Sequence, residues 1–326
     1  MDGRDLTAET GWRASFALTG PGGEPVDLVR TFRSHGLAAL PPMHFDERTS
    51  TLEATLPVQG YAPRTVLIQS DGPERGLVGA VGPAPDTEEG EGILRSVRHV
   101  LRLDEDLSPF YGLAAGDPEL AWVTRGAGRM VRGATAFEDV VKTLCTTNCA
   151  WSATTRMIGA LVEHLGEKAH GAPETGPSGR AFPTPEAMAA AGEDFYKDVV
   201  RAGYRGRYLL ALSRSVVEGT LDLEALDASV EELSDEELER RLLALPGVGP
   251  YAAAHIMTML GRYSRLVLDS WTRPTYARLS GRDVVSDGEI VDRFSPYGGY
   301  AGLAFWLYLT RGWIEDAAEE AVARER

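Results

Sequence analysis

The first hundred residues alternate apolar and polar positions in short runs broken by Gly and Pro: WRASFALTG (12–20), STLEATLPV (50–58), RTVLIQS (64–70) and GLVGAVG (76–82). Such runs predict antiparallel strands. Between the first two, VDLVRTFRSHGL (26–37) spaces Val26, Leu28 or Val29, and Phe32 as a short amphipathic helix would, packed on the sheet. PAPDTEEGEG (83–92) has the acid, Pro and Gly content of an exposed loop leading to a second domain.

From about residue 93 the apolar spacing lengthens to threes and fours. LRSVRHVLRLD (94–104), AFEDVVKTLCTTNCAWSATTRMIGALVEHLG (136–166) and YRGRYLLALSRSVVEG (204–219) read as helices. GAPETGPSGRAFPTPE (171–186) reads as a loop, and SVEELSDEELERRLLAL (229–245) places acids early and bases late, matching a helix dipole. The pattern predicts an α+β protein: an antiparallel sheet domain with a helix over 1–92 and an all-helical domain over 93–326.

A chain of 326 residues is long enough for two cores. No apolar run approaches the roughly 20 residues of a membrane helix. The N-terminus, MDGRDLTAET, is acidic where a secretory signal is basic, so the sequence reads as cytoplasmic and without a membrane partner. Cys145 and Cys149 stand four apart, a poor disulfide geometry and half a metal site, and the six histidines are scattered. Ordinary buried thiols, no metal and no cofactor are expected.

The net charge of −15 argues at first against a nucleic-acid partner. Its distribution weakens the objection. Asp222 to Glu239 holds nine acids and no base, and five more acids follow from Glu315. Residues 256–282 hold five arginines (Arg262, Arg265, Arg273, Arg278 and Arg282) and one acid, Asp269. The acids are expected to lie apart from this basic run.

In LPGVGP (245–250), Gly247 and Gly249 allow a tight turn between helices, with Leu245 and Val248 as apolar plugs. The alanine-rich AAAHIM that follows favours helix, so amides at its first turn are available to an anion. Such a turn holds a phosphate without net positive charge. On the turn alone, an αα-hairpin that only packs is the lesser alternative.

LPGVGPYAAAHIM resembles the hairpin of helix–hairpin–helix DNA glycosylases, and VLDSWTR their catalytic-aspartate segment. LRLDEDLSPFY (101–111), LCTTNCAWSATTRMIGALVEHLG (144–166), AGYRGRYLLALSRSVVEG (202–219) and YGGYAGLAFWLYL (297–309) resemble, in order, segments of the 8-oxoguanine and 3-methyladenine glycosylase branches. The likeness covers roughly residues 95–310. It implies a monomeric base-excision repair enzyme acting on double-stranded DNA with a damaged, flipped-out base. Asp269 would be catalytic, stabilising positive charge on the deoxyribose. A helix-capping role for Asp269 is compatible with the same residues. The hairpin residues Gly247, Val248 and Gly249 would hold phosphate.

Departures from the family pattern narrow the expectation. The bifunctional members carry a lysine nucleophile two residues after the second turn glycine; here that position is Tyr251, which implies a monofunctional enzyme. No cysteine follows Cys149, so the four-cysteine cluster of other branches is absent. Asn148 aligns with an asparagine that enters the gap left by the flipped base. Trp151 reads as core or as a wedge, with core favoured. Ala153 falls near an arginine that 8-oxoguanine enzymes use against the opposite cytosine, and Phe305 and Leu309 replace a base-reading glutamine and an aromatic.

A pocket of Tyr251, His255, Trp271 and Phe305 would be aromatic and suited to alkylated purines. Arg205, Arg207 and Arg273 are candidate DNA contacts, and His35 in SHGLAALPP reads as part of a structural turn, with a reach to the DNA as the lesser alternative. Two other functions stay open: excision of an oxidised base such as 8-oxoguanine, and damage binding without turnover. A packed aspartate with no cleft beside it would favour the binder.

Overall fold

A computed structural model describes residues 10–313. The N-terminal acidic stretch and the acids from Glu315 onward lie outside the described residues. Five strands, β1 (Thr10–Ala17), β2 (Met43–Asp46), β3 (Thr51–Val58), β4 (Tyr61–Ser70) and β5 (Arg75–Val81), form one antiparallel sheet in the order β1-β5-β4-β3-β2. Four follow the alternating runs. The fifth, β2, is only MHFD, too short for a period of two to show. The helix foreseen over 26–37 is confined to Leu28–Phe32, capped by Asp27. A 3₁₀ turn, Gly36–Ala39, then takes the chain to β2.

The segment 83–92 is not the exposed loop that its composition suggests. A helix runs over Thr87–Val100, begun by the Asp86 cap and an acidic first turn. Acid-rich composition marks a helix start here, which the loop reading overlooked. Ile93, Val97 and Val100 pack on the sheet among Leu52, Val66 and Val78. Arg64 of β4 clamps the helix through Glu89 at 2.6 and 2.9 Å. The sheet's core therefore extends past residue 92, through this helix.

The remaining helices build a second, larger core that also receives Leu37 and Leu40 from the 3₁₀ turn. The helix Ala301–Thr310 is apolar on every side and buried. Trp306 projects from it and donates Nε1–H to the Ser34 carbonyl at 2.7 Å, tying the helical body to the turn beside His35. Sheet and helices thus share a seam, and the candidate site lies on it.

The expected segregation of acids from the 256–282 arginines does not hold. Arg262 pairs with Asp235, Arg265 with Glu239, Arg273 with Asp287 and Arg282 with Glu289. Helix packing brings the acidic 229–245 segment back onto the basic run. Of the five arginines, only Arg278 has no ion pair among the described residues. No helix among them is long and apolar enough to cross a membrane.

Candidate active site

The hairpin joins the helix Asp235–Leu243 to the helix Pro250–Met259. Gly247 turns the chain at φ 83°, and a Cβ there would stand 2.5 Å from the ring of Tyr208. Both conformation and space require glycine. Gly249 was expected to share the left-handed turn, but it is extended, with φ −103° and ψ −177°, and open space where a Cβ would go. Val248 and Leu245 are buried as plugs. The Val248 N–H donates to the Leu245 carbonyl, whereas no described group accepts from the amides of Gly247 and Gly249. The amides of Gly247 and Gly249 are thus uncommitted, while that of Val248 is used within the turn.

Asp269 precedes the helix Thr272–Leu279. Its Oδ1 accepts from the amides of Trp271 at 2.8 Å and Thr272 at 2.7 Å, and its own amide donates to Thr272 Oγ1 at 2.8 Å. One oxygen is thereby spent on capping. No described residue donates to Oδ2. Capping and catalysis are compatible because they use different oxygens of one carboxylate.

The hairpin glycines, Tyr251, His255 and Asp269 all line a single cleft of about 1270 Å³. Tyr251 bonds Thr146 through its hydroxyl at 3.2 Å, and burial pushes its phenol above the ordinary range, so it is a neutral ring. Trp271 stands at the rim with its ring centre 5.8 Å from Trp306 and 5.6 Å from Trp313. His255 lies 5.8 Å from Tyr251, ring to ring. Both its ring nitrogens are sealed from solvent without a hydrogen-bond partner. Burial lowers its pKa to about 4, against a smaller upward pull from Asp269, so the imidazole is neutral.

Phe305 does not join this wall. It is fully buried against Phe294 and Tyr276 and reaches only a small hollow behind His255. Its neighbour Trp306 takes the cleft face instead. The turn reading of His35 fits the structure: Nε2–H donates to the Val131 carbonyl at 2.5 Å, and Nδ1 accepts from the Leu37 amide at 3.2 Å. Burial holds its pKa near 3, helped by His255, Lys142 and Arg102 and opposed by the Val131 hydrogen bond.

Asn148 sits at φ 47° at the cleft edge, its Nδ2 donating to Tyr204 at 3.2 Å. Arg205 is buried and donates to the Thr147 carbonyl, with its guanidinium 4.6 Å from the Tyr204 ring. It braces the Asn148 loop and is not placed to meet a phosphate. Arg207 is exposed and lies over Tyr208, while Arg273 is engaged with Asp287 at 2.7 Å. Trp151, favoured as core, is 48% exposed in the cleft. Cys145 is buried and Cys149 partly so, and both are free.

The chain resembles the "DNA-3-methyladenine glycosylase 2" of Escherichia coli, with 25% identity over 183 residues, 56% of this chain and 60% of that one. A Bacillus subtilis "DNA-3-methyladenine glycosylase" is 24% identical over 180 residues, 53% of this chain and 55% of that protein. The chain thus spans little more than half the length of either relative. In fold, the 3-methyladenine glycosylase of Archaeoglobus fulgidus superposes with a TM-score of 0.70 at 18% identity, covering 93% of this chain and 99% of that one.

The chain shares the fold of this glycosylase. The apo 8-oxoguanine glycosylase/lyase of Clostridium acetobutylicum also superposes, with a TM-score of 0.68 at 22% identity, over 88% of this chain and 93% of that one. No family model matches. Among the cleft residues, sequence reasoning missed Trp306, Trp313 and Tyr208. Trp306 is hidden by the uniform apolarity of its helix, in which no period marks the exposed face. Tyr204 and Tyr208 are readable only through the four-residue step that aligns them, ring centres 6.0 Å apart.

Proposed function

We propose that the protein is a monofunctional DNA N-glycosylase that removes an alkylated purine from duplex DNA. The observation that carries this reading is Asp269 at the cleft, fixed through Oδ1 and with Oδ2 uncommitted, while Tyr251 occupies the place of an amine. When the bond between sugar and base breaks, its electron pair leaves with the base and positive charge develops at C1′. Oδ2 has no protein donor and is available at the cleft to stabilise that charge. Water then adds at C1′ and gives its proton to the solvent, leaving an abasic sugar. Without an amine at residue 251, no Schiff base forms there and the strand is not nicked.

The walls support the choice of base. Tyr251, Trp271, Trp306 and Trp313 offer π-faces to an electron-poor ring, and a cationic alkylated purine gains cation–π attraction from them. His255 stays neutral and does not repel such a cation. Its unpartnered nitrogens suit it to meet the base edge once its ring turns, since no hydrogen bond opposes that turn. The hairpin amides of Gly247 and Gly249 hold the phosphate.

The open cleft beside Asp269 supports excision over damage binding alone. The test is a single-turnover assay on duplexes carrying 3-methyladenine, 7-methylguanine, hypoxanthine, 8-oxoguanine or uracil. Release of an alkylated purine in preference to 8-oxoguanine and uracil is expected. Release of 8-oxoguanine alone would move the enzyme to the other branch, and tight binding with no release would leave a binder.

A further inference from the structure

Trp151 is the most exposed large aromatic of the cleft, at 48%, ahead of Tyr204 at 47% and Trp313 at 42%. It is the first residue of the helix Trp151–Leu165, which begins without a side-chain cap. Its ring does not hang free. A Cβ on Gly36 would stand 3.0 Å from Trp151 Cη2 and 3.1 Å from Cζ2, so the indole's far edge rests on the bare backbone of the sheet domain's turn. Gly36 has no positive φ, so space for this ring, and not conformation, is what a larger residue there would violate.

Three residues earlier, Asn148 is held in the left-handed region and bonded to Tyr204. Among the described residues, the cleft lining contains no Lys or Arg. A grip on nucleic acid inside it therefore comes from amides and from stacking, not from neutralised phosphates. Trp151 offers the largest unspent π-face for that purpose, seated on one lobe and carried by the other.

We infer that Trp151 is a positioning residue that stacks on the nucleobase beside the vacated position in the duplex, with Gly36 as its seat. This rests on the proposed action on a flipped base. Extrusion costs stacking and pairing, and a ring that replaces part of the lost stacking lowers that cost only where there is stacking to lose. The consequence is a dependence on the state of the lesion, which a merely structural tryptophan would not show.

The experiment compares one lesion in two settings, fully paired and in an unpaired bulge, with 2-aminopurine as the neighbouring base. Trp151→Ala is expected to slow excision from the paired duplex at least tenfold and from the bulge less than threefold. It should also abolish the quenching of 2-aminopurine seen when wild type binds. Trp151→Phe should restore most of the rate and the quenching, and Gly36→Ala, which pushes the indole from its seat, should fall between.

Equal slowing on both substrates, or unchanged quenching in Trp151→Ala, would overturn the inference and make Trp151 a support for the Asn148 loop. The quenching is read on bound DNA without turnover. If wild type excises no lesion yet quenches through Trp151, the glycosylase reading fails and the stacking stands.

Discussion

Asp269 and Thr272 hold each other reciprocally: the Thr272 amide donates to Asp269 Oδ1 at 2.7 Å, and the Asp269 amide donates to Thr272 Oγ1 at 2.8 Å. The buried threonine hydroxyl thus fixes the backbone from which the uncommitted oxygen projects. Thr272→Ala is expected to cost about 1 kcal/mol of stability, as for loss of a cap. It should lower the single-turnover rate roughly tenfold, the scale of about 1.4 kcal/mol in transition-state placement. Thr272→Ser should recover most of both losses. Melting curves and excision rates on the same preparations check this.

Gly247→Ala should fail in two ways at once. Its φ of 83° costs a non-glycine residue about 1–2 kcal/mol, and its Cβ would meet Tyr208 at 2.5 Å. The hairpin must shift, so affinity for an abasic-site duplex should fall along with the melting temperature. Gly249→Ala meets neither obstacle and should keep the fold while weakening DNA binding. Titration of labelled duplex into both variants separates the two glycines.

Arg205 and Arg207 should behave differently despite their shared motif. Arg205→Ala frees the Thr147 carbonyl and unbraces Asn148, so it should lower stability and excision without changing the salt dependence of binding. Arg207→Ala removes an exposed charge and should reduce the salt slope by about one phosphate contact, with little effect on folding. Plots of log affinity against log salt for both variants give the answer.

Acid should destabilise the protein through its buried histidines. Burial lowers the pKa of His255 to about 4, of His99 to about 4 and of His35 to about 3. From about pH 6.5 downward the unfolded chain binds protons at these positions and the folded chain does not, so folding stability drops as pH falls toward 4. Asp139 works the other way. Burial raises its pKa to about 7, so between the ordinary carboxylate range and pH 7 the folded state holds the extra proton, and acidification favours folding there. Three histidines against one aspartate give a net loss, on the order of 1 kcal/mol per histidine between pH 6.5 and 5. His255→Gln should narrow the gap between melting temperatures at pH 7.5 and 5.0, while Asp139→Asn should widen it.

Much of this architecture is legible in the chain because its causes are local. Alternation in 50–58 and 64–70 marks two adjacent strands, and LPGVGP marks a turn whose Gly247 needs a left-handed backbone. Asp269 was found through its segment and its distance from that turn. What escaped was set by the third dimension. Phe305 and Trp306 are neighbours in a helix that is apolar all round, and only packing decides that the first faces the core and the second the cleft. Arg205 looks like a phosphate ligand until the Thr147 carbonyl is placed beside it. The basic run of 256–282 looks like a DNA-binding stripe until Asp235 and Glu239 fold back onto Arg262 and Arg265, and Asp287 and Glu289 pair with Arg273 and Arg282.

The central claim is that one carboxylate, acting with water and without an amine, breaks the bond between base and sugar. The measurement that tests it most directly is single-turnover excision by wild type and Asp269→Asn on one alkylated-purine duplex, analysed with and without alkali. The account predicts base release by wild type that yields a nicked strand only after alkali, with at least a hundredfold loss in the variant, about 2.7 kcal/mol of lost charge stabilisation. An unchanged rate in Asp269→Asn, or nicking by wild type without alkali, would contradict it.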